Sequence, residues 1–336
     1  MDIKSKNAII MMATYNGEKY LKDQIVSLQK QTFTNWVLYV SDDGSTDNTV
    51  ELLKELQKKD DRIKKIIINK SKYHGAFANY FNLMRYVQKM CHPFDYYFYC
   101  DQDDIWENDK MYLEVKAIDQ IEKEFTESMP AFCYCDLELY SADNRDSHDK
   151  MSNHIRTQFV DNPYNSFFKD QYVWGTTISH NYAMWKLLFL GTPSEVQNNI
   201  SHDVYLSKYA MTYAKIVYIP KTLVRYRRTG NNVSDTPGNY GVKKVFNKLS
   251  HIDRLVNNAA RNYWGSLYFA YHAPIDTTLI QDVKECFKTR SCIKNFFKKY
   301  NVLKNESFLG RYSTKLILYS RIYKLSHFFK KGKIFK

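Results

Sequence analysis

The first hundred residues alternate short apolar runs with amphipathic segments, and this alternation constrains the fold more than any other feature of the chain. The run Ala8 to Ala13 is continuously apolar, as is typical of a strand buried on both faces of a parallel sheet. From Gly17 to Gln31 apolar residues recur at helical spacing, and a second apolar run, Trp36 to Val40, follows. This order predicts a βαβ unit.

The same alternation continues along the chain. The predicted elements are a helix over Thr46 to Leu56, a strand over Ile63 to Ile68, a helix over Phe77 to Met90, a strand over Asp95 to Cys100, a helix over Asp109 to Phe125 and a strand over Ala131 to Tyr140. Helical spacing returns after the turn-forming segment Ser234 to Gly238. We therefore expect an α/β domain of residues 1–235 with a mostly parallel, Rossmann-like sheet and helices on both faces, followed by a helical region of residues 236–336.

Composition excludes several classes of protein. Of the 336 residues 44% are hydrophobic, with only 11 Gly and 7 Pro, so the chain is neither collagen-like nor generally disordered. The sequence has no run of 18 apolar residues, and Ala8 to Ala13 is too short for the core of a signal peptide. These features predict a cytoplasmic protein with reduced cysteines.

The net charge of +13 is concentrated at the C-terminal end. From Cys286 to Lys336 there are 14 Lys or Arg and one acid, Glu306, whereas the preceding residues are neutral overall. Aromatic residues alternate with these cations, as they do in helices that lie on an anionic membrane surface. A helical bundle with a basic solvated face would give the same periodicity, and the sequence contains no recognised nucleic-acid-binding module.

Polar residues follow three of the predicted strands directly. These clusters are Thr14-Tyr15-Asn16, Asp42-Asp43 and Asp101-Gln102-Asp103-Asp104. Ligands of open parallel sheets bind at the carboxyl ends of the strands, so the clusters are expected to converge on one site. Each alone is also compatible with an ordinary turn or helix cap.

The third cluster brings three carboxylates to one strand end within four positions. Like charges at close range raise one another's pKa unless a cation lies between them, so the cluster favours Mg²⁺ or Mn²⁺. Neither a Gly-x-Gly-x-x-Gly motif after the first strand nor a Gly-x-x-x-x-Gly-Lys-Ser/Thr motif is present. Any bound diphosphate is therefore expected to be held through the metal.

As a set, these motifs resemble the family 2 inverting glycosyltransferases, which have the GT-A fold. Ala13 to Gly17, Asp42 to Ser45 and the D-x-D motif Asp101-Gln102-Asp103 carry the resemblance, and the segment Cys100 to Trp106 is similar to the bacterial rhamnosyltransferase-like subgroup of polysaccharide biosynthesis. The resemblance covers about residues 5–235. It implies a nucleotide-sugar half of about residues 1–110 and an acceptor half of about residues 111–235.

The resemblance also implies roles for individual residues. Nucleotide-sugar binding would involve Thr14, Tyr15, Asn16, Asp42, Asp43, Asn79, Asp101 and Arg227. Asp103, with Asp101, would hold Mn²⁺ or Mg²⁺. The acceptor side would include Trp106, Trp174, Gly175 and His202, and Asp203 would be the catalytic base.

Inversion needs one base to deprotonate the attacking hydroxyl, and a metal-bound diphosphate needs no general acid to leave. Asp203 is also compatible with a plain helix cap, because apolar residues follow it at helical spacing. One departure from the family is Thr229, which replaces a histidine that can complete the metal site. Arg227 and Arg228 could compensate by pairing with phosphate oxygens.

The predicted function is transfer of a sugar, from dTDP-rhamnose or a UDP-hexose, to a hydroxyl of a bacterial surface glycan that is lipid-linked. The basic region would dock the enzyme on the cytoplasmic face of the cell membrane. Two rivals are a non-catalytic, membrane-associated nucleotide-binding module and a sugar nucleotidyltransferase. Metal-dependent release of UDP or dTDP separates the enzyme from the module, and release of pyrophosphate would identify the nucleotidyltransferase.

Overall fold

The structure is a computed structural model that describes residues 3–141, 144–154, 167–168, 173–192, 199–228, 252–303 and 308–330. These residues contain one nine-stranded mixed sheet with the order β3-β2-β1-β4-β8-β6-β9-β5, and β7 pairs with β6. The strands are β1 (Ala8–Thr14), β2 (Trp36–Asp42), β3 (Ile63–Ile68), β4 (Tyr96–Asp101), β5 (Ile105–Trp106), β6 (Ala131–Ser141), β7 (Asn144–Lys150), β8 (Ile178–Asn181) and β9 (Lys215–Arg227).

The helices alternate with the strands in the first half of the chain and follow one another at the C-terminal end. They are α1 (Glu18–Gln29), α2 (Thr49–Lys59), α3 (Ala76–Met90), α4 (Lys110–Glu124), α5 (Tyr182–Trp185), α6 (His202–Tyr213), α7 (Ile252–Tyr271), α8 (Thr278–Cys286), α9 (Arg290–Tyr300), α10 (Phe308–Ser320) and α11 (His327–Lys330). No helix among the described residues combines the length and apolar character that crossing a bilayer requires.

The continuous apolar run of β1 is explained by helices on both faces of the sheet. Ile9 and Met11 belong to one buried cluster, whereas Ile10 and Met12 belong to the other, because successive side chains of a strand point to opposite faces. Strands β3, β2, β1 and β4 are parallel, as predicted. The second half departs from that order, since β8 is antiparallel to both β4 and β6.

Helix α2 begins three residues later than predicted, at Thr49 instead of Thr46. The Thr46 N–H donates to Asn16 Oδ1 (2.8 Å), and the Thr49 N–H donates to Asp47 Oδ1 (3.0 Å). Residues 46–48 therefore remain in the loop, where their backbone connects to the loop that follows β1. A local cap signal cannot reveal this long-range contact.

The helical C-terminal region packs on the α/β domain. Buried residues of α8 and α9, such as Ile280 and Phe296, lie in the same apolar cluster as Phe81 of α3 and Tyr205 of α6. The boundary expected near residue 235 lies outside the described residues. The apolar residues of the basic end divide into two sets, since Leu318 is fully buried whereas Leu316 is exposed.

Candidate active site

The ends of β1, β2 and β4 lie side by side at one edge of the sheet. Thr14 pairs in register with Asp42, and Ala13 pairs with Asp101. The three polar clusters follow directly from these strands, so their convergence results from the parallel register. This edge is the candidate active site.

Asp42 organises the turn after β2. Its carboxylate accepts hydrogen bonds from the Thr14 hydroxyl (2.9 Å), the Ser45 hydroxyl (2.5 Å) and the backbone N–H groups of Gly44 and Ser45 (3.1 and 2.8 Å). The side chain is fully buried, and Gly44 adopts a positive φ of 83°. Asp42 and Thr14 therefore position the two loops.

Asn79 and Asp43 connect β2 with α3 and with the segment that precedes α3. Asn79 is buried, and its amide bonds both the hydroxyl and the carbonyl of Ser41 (2.6 and 2.7 Å). The Asp43 carboxylate accepts from the Gly75 N–H (2.6 Å) and the Asn69 amide (2.6 Å), and lies 3.0 Å from His74 Nδ1. Asp43 thereby anchors the segment that precedes α3.

Gln102, the middle residue of the D-x-D motif, pairs with the loop after β1. Its amide oxygen accepts from the Tyr15 N–H (2.9 Å), and its amide nitrogen donates to the Tyr15 carbonyl (2.9 Å). A Cβ at Gly17 would lie 2.2 Å from Gln102 Oε1, so glycine makes the approach possible. The Tyr15 side chain remains 54% exposed. Sequence reasoning missed this pairing, since a side-chain bond to a distant backbone leaves no local signal.

The carboxyl groups after β4 perturb one another. Burial is the main cause that raises the pKa of Asp101 to about 7. The Asp103 charge raises this pKa further, the Tyr80 hydrogen bond lowers it, and the Asp203 charge adds the smallest rise. Burial also raises the pKa of Asp103. The pKa of Asp104 lies well above its usual range because the group is buried beside Asp103 and Asp101. A cation bound between these carboxyl groups would stabilise their ionised forms.

Arg227 lies behind the acidic cluster. Its Nε donates to the backbone carbonyl of Asp103 (2.8 Å), and its Nη2 lies 3.2 Å from the Asp23 carboxylate. Its charge lowers the pKa of Asp103, against the larger effect of burial. These contacts make Arg227 a positioning residue for the loop. Thr229 lies outside the described residues.

Asp203 is connected to the D-x-D motif through two aromatic rings. The Tyr80 hydroxyl donates to Asp101 Oδ1 (2.9 Å), and the Tyr80 ring stacks on the His202 ring at a centroid distance of 3.7 Å. A Cβ at Gly175 would lie 2.2 Å from His202 Nε2, so glycine makes room for the imidazole. Tyr80 was another residue missed, since the helical pattern marks it only as apolar.

Asp203 lies in the first turn of α6, where a helix stabilises negative charge. The Val204 N–H donates to its Oδ1 (2.7 Å), and no described residue donates a hydrogen bond to its Oδ2. Burial lowers the pKa of the adjacent His202 to about 4, even though the Asp203 charge opposes this. The imidazole is therefore neutral at pH 7.

The two tryptophans assigned to the acceptor side are buried in the apolar core. Trp106 Nε1 donates to the Thr176 hydroxyl (3.1 Å), and the Lys110 ammonium lies 4.0 Å from its ring centre. These contacts place Trp106 beneath the site as a support. Gly175 and His202, by contrast, meet directly beside Asp203.

The donor set fits a hard divalent cation in part. Asp103 accepts no hydrogen bond from the side chain of another described residue, and Asp101 lies two residues away at the same strand end. Within the described ranges no three His, Cys, Asp or Glu side chains converge into a complete ligand set. Mg²⁺ is commonly held by one or two carboxylates together with substrate phosphates, which is what this arrangement can offer.

Comparison with known proteins identifies the family of the chain. Residues 9–187 match the family described as Glycosyl transferase family 2. The dTDP-rhamnosyl transferase RfbG of Shigella flexneri is 29% identical over 258 residues, which cover 75% of this chain and 80% of that protein. The UDP-Glc:alpha-D-GlcNAc-diphosphoundecaprenol beta-1,3-glucosyltransferase WfgD of Escherichia coli is 34% identical over 109 residues, which cover 32% of this chain and 40% of that protein.

A solved structure has a similar fold. S. aureus TarS 1-349 in complex with UDP aligns with a TM-score of 0.52 and 12% identity, over 98% of this chain and 88% of that chain. The GT-A fold predicted from the sequence is confirmed by this likeness and by the family match. Since the match spans more than half of its residues, the chain belongs to glycosyl transferase family 2 and is an inverting glycosyltransferase.

Proposed function

We propose that the enzyme transfers a sugar from dTDP-rhamnose or a UDP-hexose to a hydroxyl of a lipid-linked bacterial surface glycan. The contact that carries this proposal is the Tyr80–His202 stack, because it brings the D-x-D motif and Asp203 to one site. The names of RfbG and WfgD, which specify dTDP-rhamnosyl and UDP-Glc transfer, support the two donor classes.

On the donor side, Asp43, Asn16 and the exposed Tyr15 ring would contact the nucleotide, while Thr14, Asp42 and Asn79 hold the loops in place. Asp103, with Asp101, would hold Mn²⁺ or Mg²⁺ against the diphosphate. When bound, the metal neutralises the negative charge that develops on the departing diphosphate. Arg227 keeps the Asp103 backbone in position through its bond to the carbonyl.

On the acceptor side, Asp203 would receive the proton of the attacking hydroxyl on Oδ2. A new bond forms between the hydroxyl oxygen and the anomeric carbon as the bond from that carbon to the phosphate oxygen breaks. Attack opposite the leaving group inverts the configuration. The His202 ring is stacked on Tyr80 and fits beside Gly175 only because that residue lacks a Cβ, so His202 would orient the first turn of α6.

Nucleotide release tests this proposal. We expect dTDP or UDP to appear when the matching sugar nucleotide, Mn²⁺ or Mg²⁺ and a lipid-linked oligosaccharide are supplied, and the release to stop when EDTA removes the metal. A coupled assay over a panel of sugar nucleotides measures it. Equal release with and without metal would contradict the metal-assisted mechanism.

We also propose that the C-terminal region docks on anionic membranes. Tyr312, Leu316 and Leu325 are exposed by 64%, 56% and 67%, and Lys315 and Lys324 accompany them. Apolar side chains beside cations can enter the headgroup region of an acidic bilayer. Part of the basic end is core, so truncation would disturb folding and point substitutions are the suitable test.

Replacing both Leu316 and Leu325 by serine should weaken binding to phosphatidylglycerol vesicles by about tenfold, because each side chain contributes apolar area to the interface. Vesicle flotation measures the change. Ile275→Ser removes an exposed apolar residue outside this surface and serves as the control. Unchanged flotation of the double variant would refute docking through α10 and the segment after it.

A further inference from the structure

The loop between β1 and α1 is held in place by side chains of two other loops. The backbone N–H groups of residues 15–18 donate in turn to the side chains of Gln102, Ser45, Thr49 and Asp47. Asn16 in this loop has a positive φ of 48°, which is uncommon for a residue other than glycine. Contacts with the segments that follow β2 and β4 therefore set the conformation of the loop.

Gln102 is the contact that reaches this loop from the D-x-D motif. Besides accepting from the Tyr15 N–H, its side-chain amide donates to the Tyr15 carbonyl, and both bonds are 2.9 Å long. Hydrogen bonds are directional, so two bonds to one residue fix its orientation as well as its position. Asp101 and Asp103 flank Gln102 in the chain. One side chain therefore connects Tyr15, whose ring is exposed, with the two carboxylates of the motif.

Gly17 allows the Gln102 side chain to approach the loop. The three atoms nearest to a Cβ built at Gly17 all belong to Gln102, with Oε1 at 2.2 Å and Cδ at 2.5 Å. Gly17 itself has a φ of -103°, which alanine can also adopt. A methyl group at this position would therefore displace Gln102 without forcing the backbone into the left-handed region. Substitution of Gly17 thus offers a second, independent way to break the contact between Gln102 and Tyr15.

We propose that Gln102 is a positioning residue for donor binding, which holds Tyr15 at a fixed spacing from the metal site so that one nucleoside diphosphate reaches both. This inference rests on the proposed function, in which the Tyr15 ring contacts the nucleotide and Asp103, with Asp101, holds the metal. The base and the diphosphate are parts of one ligand, so a site whose two contacts are already arranged loses less entropy on binding. The middle residue of the D-x-D motif then strengthens donor binding without contacting the donor.

Isothermal titration of the full chain with UDP and dTDP in the presence of Mn²⁺ tests the proposal. We expect Gln102→Ala and Gly17→Ala each to weaken nucleotide binding by about tenfold, because Tyr15 must then be ordered when the ligand binds. The double variant should bind no more weakly than either single variant, because both substitutions remove the same contact. Gln57→Ala is the matched control, since it breaks an amide bond to the Ile63 carbonyl (3.0 Å) at the opposite end of the parallel strands, and its affinity should be unchanged.

Pyrophosphate with Mn²⁺ separates positioning of Tyr15 from general damage to the metal site. This probe lacks the base, so Gln102→Ala should bind it as tightly as wild type does. Equal weakening of pyrophosphate and nucleotide, or losses that add to about a hundredfold in the double variant, would overturn the proposal. So would wild-type nucleotide affinity in a Gln102→Ala variant whose thermal unfolding shows that it is folded.

Failure of the proposed function would give a different result. Wild-type protein that binds neither UDP nor dTDP with Mn²⁺ would contradict the donor site itself and this inference with it. Wild-type protein that binds a nucleotide no better than the folded Gln102→Ala variant would remove only the positioning role.

Discussion

Replacing Asp203 with asparagine is expected to lower kcat for sugar transfer by about 10²–10⁴-fold, the usual contribution of general base catalysis. Asparagine keeps the shape and can still accept the hydrogen bond from the Val204 N–H, so the start of α6 should remain intact. What it loses is the carboxylate oxygen that would receive the acceptor's proton. The measurement is single-turnover transfer with saturating donor, acceptor and Mn²⁺.

Donor binding should separate a catalytic role of Asp203 from a structural one. Asp203 lies on α6 whereas the proposed nucleotide contacts follow β1 and β2, so the Kd for dTDP or UDP should change little in Asp203→Asn. Asp253→Asn is a matched control, because Asp253 is also an acid in the first turn of a helix but is exposed. A kcat of Asp203→Asn within a few fold of wild type would mean that another group removes the proton.

The position of the site could be predicted because it depends on the local order of the chain. An apolar run followed by polar residues identifies a strand and its carboxyl end, and parallel pairing then brings Thr14, Asp42 and Asp101 together. The predicted strands of the first half agree with the structure for the same reason. Hydrophobic periodicity is a property of neighbouring residues.

The roles of individual side chains depend on partners far away in sequence, and these were not predictable. Asp42 and Asp43 are adjacent in the chain. The Asp42 carboxylate nevertheless accepts hydrogen bonds within its own turn, whereas the Asp43 carboxylate accepts them from the segment before α3. The bond from Arg227 Nε to the Asp103 carbonyl, 124 positions away in the chain, had no signal in the sequence, and the expected contact of Arg227 with phosphate stays a prediction. Trp106, which was expected to face an acceptor, is buried, and its Nε1 donates to the Thr176 hydroxyl.

The C-terminal region illustrates the same limit at a larger scale. Helical periodicity could not distinguish residues that pack on protein from residues that remain exposed, and α10 contains both, since Leu318 is buried and Leu316 is exposed. The sequence does not indicate either that Gly265 of α7 packs closely on Ile200, where a Cβ would lie 2.9 Å from Ile200 Cδ1. From the sequence alone, a glycine within a helix indicates only a low helix propensity.

Replacing Asp103 with asparagine is expected to lower kcat/KM with Mn²⁺ by about 100-fold or more, because the proposed metal ligand with the fewest competing contacts is removed. The Arg227 bond to the Asp103 backbone should keep the loop in place, so the effect should come from the lost charge. Asp61→Asn, which removes an exposed acid just before β3, is the charge-matched control.

The Asp103→Asn substitution should change nucleotide affinity differently with and without the metal. With Mn²⁺, Asp103→Asn should bind UDP or dTDP more weakly than wild type, because the metal bridge to the diphosphate is impaired. In EDTA it should bind at least as well, because one carboxylate no longer repels the phosphates. Isothermal titration calorimetry measures both. A variant that keeps the full Mn²⁺ enhancement would show that Asp103 is not a metal ligand.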